Sequence, residues 1–430
     1  MPGWSNWAKT VTCRPAQIAK PRSIDEIAAV VSASAAAGRP VRAVGSGHSY
    51  SPLVATEGTI LSLDNFQGIE AVDTVAGEVT VRGGTKLRSI GPLLRRHGLA
   101  MENLGDTDAQ SLAGAISTGT HGSGIALGSV STQVAGLTLV TATGDVIECS
   151  RERDEDVFRA AAVSLGTLGI IARVRLKTVP AYRLERKKQN RQLDEVLAEI
   201  DSLVTDNRHF EFWAFPYARR VSTRMSNMTG EEPNVATLKR LWENIVVDTA
   251  GLWVLSQAGR LSPAVSRGVA RLSARLNSQG TSVDDNYRIL ATPRYVKLTE
   301  TEYAVPAEAG PECLREVLEF IEREGIPVNF PLEYRYVAAD DLFLSPFYER
   351  DSALIDAQQF HGMPYEGYFR GCEAIFRKYG GRPHLGKIHH CDHSQLQALF
   401  PGWDDFNRVR RQLDPGGVFM TPYLRGLLGD

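Results

Sequence analysis

Residues 330–337 read Phe-Pro-Leu-Glu-Tyr-Arg-Tyr-Val and alternate with the period of a strand. Phe330, Leu332, Tyr334 and Tyr336 share one face; Glu333 and Arg335 share the other. An acid and a base on such a strand form either a solvent-facing ion pair or a buried pair with a task. In a buried pair, the guanidinium stabilises negative charge as it develops, and the carboxylate orients or deprotonates a hydroxyl. Lys387, closing Gly381-Arg382-Pro383-His384-Leu385-Gly386-Lys387, offers a second cation.

Three loops rich in Gly, Ser and Thr fall within the first 170 residues: Gly45–Ser49, Gly119–Gly124 and Gly166–Gly169. Small residues let backbone approach a ligand closely, and successive N–H groups cradle a pyrophosphate. The first loop begins as a G-x-G dinucleotide fingerprint, but Tyr50 stands where the third glycine is required. One such loop is as well explained by a tight turn. Three, two of them carrying a histidine (His48 and His121), point to a ligand wall.

A fourth cluster competes. His384, His389, His390, Cys391, Asp392 and His393 crowd ten positions and suggest a zinc hydrolase. The spacing matches neither HExxH nor paired CxxC. No metal is expected. His389 is expected to reach the pocket, and His390 and His393 the surface.

The elements that position these residues form an α+β pattern. Ser23-Ile24-Asp25-Glu26 has the form of a capping box opening a helix, and Gly38 and Pro40 close it. Val41–Val44 reads as a buried strand feeding the first loop. Strands at Glu78–Arg82 and Ile170–Leu176, a hairpin around Thr143-Gly144-Asp145, and helices at Lys86–His97 and Ser111–Ser117 complete the first part. Beyond Pro180, the basic run Arg183–Arg191 reads as solvated surface. Strands at His209–Phe215 and Val328–Val337 and helices at Pro311–Glu324 and Tyr365–Tyr379 follow. The strict βαβ rhythm of a doubly wound domain is missing. The expected division is 1–179, 180–375 and 376–430.

With 43% hydrophobic and 23% charged residues and a net charge of −2, the composition is that of a globular protein, with no sign of a nucleic-acid partner. No signal peptide or apolar run of membrane-spanning length is seen. Five scattered cysteines read as reduced thiols, so a cytoplasmic monomer or homodimer is expected.

The motifs in order are Val44-Gly45-Ser46-Gly47-His48-Ser49, Glu102-Asn103-Leu104-Gly105-Asp106, Ala113 to Gly124, Ser164 to Gly169 and Gly381 to Lys387. Together they resemble the vanillyl-alcohol-oxidase flavoproteins, in their sugar-lactone and alditol oxidoreductase branch. The resemblance spans nearly the whole chain. It implies a two-subdomain FAD-binding domain, an α+β cap with an antiparallel sheet, and a C-terminal segment returning to the first domain. It implies FAD contacts from Val44, Gly45, Ser46, Gly47, His48, Ser49, Gly105, Asp106, Ser111, Gly114, Ala115, Ser117, Thr118, Gly119, His121, Gly122, Gly169, Ile171, Lys387 and His389, with His48 bonded covalently to the flavin. It implies catalysis by Glu333, Arg335 and Lys387: hydride passes from an aldono-1,4-lactone, or alternatively an alditol or specialised polyol, to flavin N5, and oxygen or another acceptor takes the electrons. The family usually has tryptophan where this chain has Leu385, so a reshaped pocket is expected there.

Overall fold

The computed structural model describes residues 3–235, 257, 260, 262–293 and 295–429. A three-stranded parallel sheet is built from β1 (Gln17–Ala19), β2 (Val41–Val44) and β3 (Thr59–Ser62), in the order β1-β3-β2. Helix α1 (Ile24–Ala36) packs on it through Ile27 and Val31. Ser23 caps α1 by accepting from the Glu26 N–H at 3.1 Å. The other half of the expected capping box is displaced by one residue, because the Glu26 carboxylate accepts from the Arg22 N–H instead.

A five-stranded antiparallel sheet follows, from β4 (Ile69–Asp73), β5 (Glu78–Arg82), β6 (Val134–Val140), β7 (Val146–Ser150) and β8 (Ile170–Lys177), ordered β7-β6-β8-β5-β4. The expected hairpin is the β6–β7 pair, turned at Gly144 with φ +88°. Helices α2 (Leu87–Arg96) and α3 (Leu112–Ser117) bury Ile90, Leu94, Leu112 and Ile116 in the same core.

The second sheet has eight antiparallel strands: β9 (Arg183–Gln192), β10 (His209–Phe215), β11 (Arg220–Thr229), β12 (Gly280–Asp285), β13 (Leu298–Pro306), β14 (Leu332–Val337), β15 (Ser352–Phe360) and β16 (Arg382–Pro383). Their order is β12-β9-β11-β10-β14-β15-β13-β16. Successive side chains alternate faces. Phe212, Tyr334, Ile355 and Tyr303 point one way, into a core closed by α4 (Gly310–Arg323) and α5 (Glu366–Lys378). Each such side chain contributes roughly 1.5–3 kcal/mol by leaving water. Phe330 is not part of this face. Strand β14 begins only after Pro331, and Phe330 packs with Phe360 and Met363 in a separate cluster.

The basic run is solvated on part of its length only. It is β9, an interior strand hydrogen-bonded to β11 and β12, with Leu184 and Arg186 buried. Charge alone marks a solvated segment only when no opposite charge waits within reach in the sheet, and Glu211, two strands away on β10, lies 4.0 Å from Arg186.

Helix α5 crosses the expected boundary at 375/376 and keeps Ile375 and Phe376 in the second core, and β16 still belongs to the second sheet. From Leu385 onward the chain joins the first core, through α6 (His393–Leu399), α7 (Trp403–Leu413) and α8 (Pro422–Leu428). Arg42 on β2 fastens this return, donating to the carbonyls of Phe419 at 2.6 Å, Gly166 at 2.7 Å and Leu165. No described helix is long and apolar enough to cross a membrane. All five cysteines are unbridged.

Candidate active site

Two cavities meet at one loop. The first is a cleft of about 900 Å³, open to solvent, lined by Val44, Gly45, Ser46, Gly47, His48 and Ser49 on one side. Ser111, Gly114, Ser117 and Thr118 of the α3 region, with Gly169 and Ile171, line the other. Glycine is required at two points. Gly47 has φ +68°, and a Cβ on Gly45 would stand 2.1 Å from Ser111 Oγ. The bare backbone of Gly45 is therefore pressed against Ser111 at the start of α3, and the loop and the helix together wall the cleft, which suits an extended ligand such as FAD.

The second cavity is lined by Gly105, Asp106, His121, Glu333, Arg335 and Lys387, together with Tyr50, Glu300, Glu302, Asp356 and His384. His48, Ser49, Gln110 and Thr118 line both cavities, so His48 stands at the junction. Its ring stacks on Trp7, with centroids 5.0 Å apart.

Sheet register assembles the second cavity. Trp213, Glu333, Asp356 and Glu302 lie opposite one another on β10, β14, β15 and β13, all on the face turned away from the Phe212–Tyr334 core. Three acids in one row repel unless cations intervene. Arg335 contacts Glu333 on its own strand and Glu211 Oε2 at 3.0 Å across the sheet. Burial alone would lower its pKa, but Glu333 and Glu211 raise it and keep the guanidinium charged. Burial likewise pushes Glu211 up, and Arg335, Arg186 and Arg224 outweigh it and hold the carboxyl below its usual range. Trp213 Nε1 donates to Glu333 at 2.9 Å, and Arg224 lies 3.4 Å over the Trp213 ring. Lys387 pairs with Glu300 and lies 3.8 Å from Glu302, its ammonium 5.5 Å from the centre of the Tyr50 ring.

Several expected contacts lie elsewhere. Ala115, Gly119 and Gly122 line neither cavity; Ala115 is core, and a Cβ on Gly122 would meet Asn103 and Leu104. His389 also lines neither cavity, and both its ring nitrogens are buried without a partner among the described residues. Leu385 packs into the first core, so its side chain does not shape either cavity.

The histidine cluster comes apart in space. His384 faces the second cavity, while His390 and Cys391 turn to Glu373. Asp392 caps α6. His393 reaches the Leu427 carbonyl at 3.0 Å. His390 and His393 are half-buried rather than on the surface, because each has a partner on another element.

The sequence reading missed Glu211, Glu300, Glu302 and Asp356. Thr299-Glu300-Thr301-Glu302-Tyr303 alternates as Glu333-Tyr334-Arg335 does, and that pattern was the available signal.

The glycine-walled cleft and the charged cavity are the two adjoining sites that a flavin-dependent oxidoreductase needs. Residues 15–150 match the FAD binding domain family, and residues 174–427 match the family described as D-arabinono-1,4-lactone oxidase. The chain belongs to that family. It is 42% identical to the L-gulono-1,4-lactone dehydrogenase of Mycobacterium tuberculosis, over 100% of this chain and 99% of that one. It is 32% identical to the L-gulonolactone oxidase of Mus musculus, over 98% and 97%. A solvent-stable cholesterol oxidase structure, 21% identical, superposes with TM-score 0.84 over 100% of this chain and 97% of its own, a likeness of fold.

Proposed function

We propose that this enzyme oxidises an aldono-1,4-lactone of the L-gulono, L-galactono or D-arabinono type, with Glu333, Arg335 and Lys387 acting on substrate in the second cavity. The carrying observation is that His48 lines both the glycine-walled cleft and the charged cavity, so one loop joins cofactor to substrate. Bound FAD supplies a hydride acceptor at N5. The glycine loop and α3 hold it, and His48 is the residue for a covalent tether.

The protein's own groups then have defined tasks. Arg335, held charged by Glu333 and Glu211, presents a fixed cation where negative charge develops. Glu333, oriented by Trp213, accepts or orients the proton of the reacting hydroxyl. Lys387 hydrogen-bonds a substrate oxygen. The cavity's acids (Asp106, Glu300, Glu302, Glu333 and Asp356) outnumber its cations even with a protonated His121 added to Arg335 and Lys387, which favours a neutral polyhydroxylated ring over an anion.

The test is anaerobic mixing of the holoenzyme with L-gulono-, L-galactono- and D-arabinono-1,4-lactone, xylitol and sorbitol, followed by air. Bleaching by a lactone supports the reading, and bleaching by alditols alone overturns it. Rapid reoxidation with peroxide assigns an oxidase; slow reoxidation assigns a dehydrogenase with another acceptor.

A further inference from the structure

One carboxylate of the second cavity sits between a histidine and a lysine. Glu302 presents Oε1 to His121 Nε2 at 3.1 Å and Oε2 to Lys387 Nζ at 3.8 Å, while Glu300 contacts Lys387 as well. Glu302, His121 and His384 are all buried.

The ring nitrogens fix the hydrogen count. His121 Nδ1 lies 3.0 Å from the Gly122 carbonyl oxygen, so it must carry a hydrogen. Nε2 faces a carboxylate oxygen, and that contact also needs a hydrogen between the two atoms. Burial alone would push Glu302 up, but His121 outweighs it and the carboxyl is held down at about 2. An ordinary imidazolium also holds its proton more firmly than an ordinary carboxyl, so the hydrogen between the two atoms belongs to the ring.

His384 is the opposite case. Its Nδ1 accepts from the Gly386 N–H at 3.1 Å, which leaves Nε2 to carry its hydrogen, and burial keeps the ring neutral by lowering it to about 4. A divalent cation bound among His121, Glu302 and His384 does not fit this arrangement. A metal on His384 Nε2 requires a hydrogen on Nδ1, where the Gly386 N–H already points.

We propose that His121 is a cationic positioning residue that fixes Lys387 through Glu302, rather than a flavin contact. The proposal rests on the reading of the second cavity as the substrate site. With His121 charged, Glu302 is satisfied on Oε1, and Lys387 is shared between Glu302 and Glu300 with its ammonium toward the cavity. Without that charge, either Oε1 of Glu302 or the Gly122 carbonyl loses its donor, the buried carboxylate keeps only the lysine as a cation, and the lysine moves toward it and away from substrate. The other titratable groups lining this cavity are Asp356 on β15, Glu333 and Arg335 on β14, Glu300 on β13, and Asp106, Tyr50, His48 and His384 on the flanking loops. Any pH profile reads them together, so a single-site variant is needed to isolate the His121–Glu302 pair.

The experiment has two arms, both on the FAD-loaded enzyme. In the first, histidine-selective ¹⁵N NMR reports ring protonation without substrate, with His121→Asn assigning the signal. One imidazole protonated on both nitrogens at about pH 7.5, converted to a neutral ring by Glu302→Gln, is the expected result. A neutral His121 in the unsubstituted enzyme, or a stoichiometric bound metal, overturns the proposal. In the second arm, Glu302→Gln slows flavin reduction about tenfold with a shifted pH profile, and Glu302→Asp restores most of the rate. A pH profile superimposable on that of the unsubstituted enzyme overturns the proposal, even if the variant is less stable. If no lactone reduces the flavin, the functional reading fails while the NMR arm still decides the charge of His121.

Discussion

Arg335 on β14 lies directly opposite Glu211 on β10, its Nε 3.0 Å from the carboxylate, and it also contacts Glu333 two residues earlier on its own strand. One buried cation thus holds two buried anions. Arg335→Ala leaves both acids without that cation. Flavin reduction is expected to slow at least about tenfold, and stability is expected to fall by about 3–5 kcal/mol, the scale of breaking a buried ion pair from one side. Stopped-flow reduction and denaturant unfolding measure the two effects. Unchanged reduction removes Arg335 from the substrate site.

The Glu333/Arg335 strand was legible because its alternation is local. Helices α1 and α4 were legible for the same reason, α1 by its capping serine and apolar stripe and α4 by its apolar stripe. Glu211 and Asp356 were not, because only the register of an eight-stranded sheet brings Glu211 beside Arg335 and Asp356 beside Glu333. The run Arg183–Arg191 was misread in part because a charged strand and a solvated loop look alike until the partner of Arg186 is known. His389 sits close to Lys387 in sequence, yet the chain turns between them and leaves its ring outside both cavities.

His48 at the junction of the two cavities is the expected flavin tether. Acid-precipitated enzyme is expected to stay yellow, and His48→Ala is expected to release its flavin into the supernatant. Free FAD from the unsubstituted enzyme contradicts the covalent link and leaves the cleft assignment standing.

Gly45 has no room for a side chain beside Ser111. Gly45→Val is expected to push the loop away from α3 and weaken FAD retention at least about tenfold, a loss of about 1.4 kcal/mol. Flavin content after gel filtration measures it. Full retention would show that the cofactor does not use this loop.

Acid is expected to weaken the fold through histidines that are buried neutral. His209, His384 and His389 are lowered by burial to about 4 from an ordinary 6.5. Between those values the unfolded chain binds more protons than the folded one, so stability rises with pH across the window. The contribution is fully present above about 6.5 and is lost as pH falls toward about 4. Melting temperatures at about pH 7 and about pH 5 are expected to differ, with a smaller difference in His209→Gln. A melting temperature that does not change across this window contradicts the buried neutral state.

The central claim is that a lactone in the charged cavity delivers its hydride to a flavin held by the Gly45–Ser49 loop. The most direct measurement is an anaerobic titration of the FAD-loaded enzyme with L-gulono-1,4-lactone, followed by the flavin's visible absorbance. The account predicts bleaching that is lost or strongly slowed in Lys387→Met. An unbleached flavin with this lactone and with its L-galactono and D-arabinono relatives would contradict it.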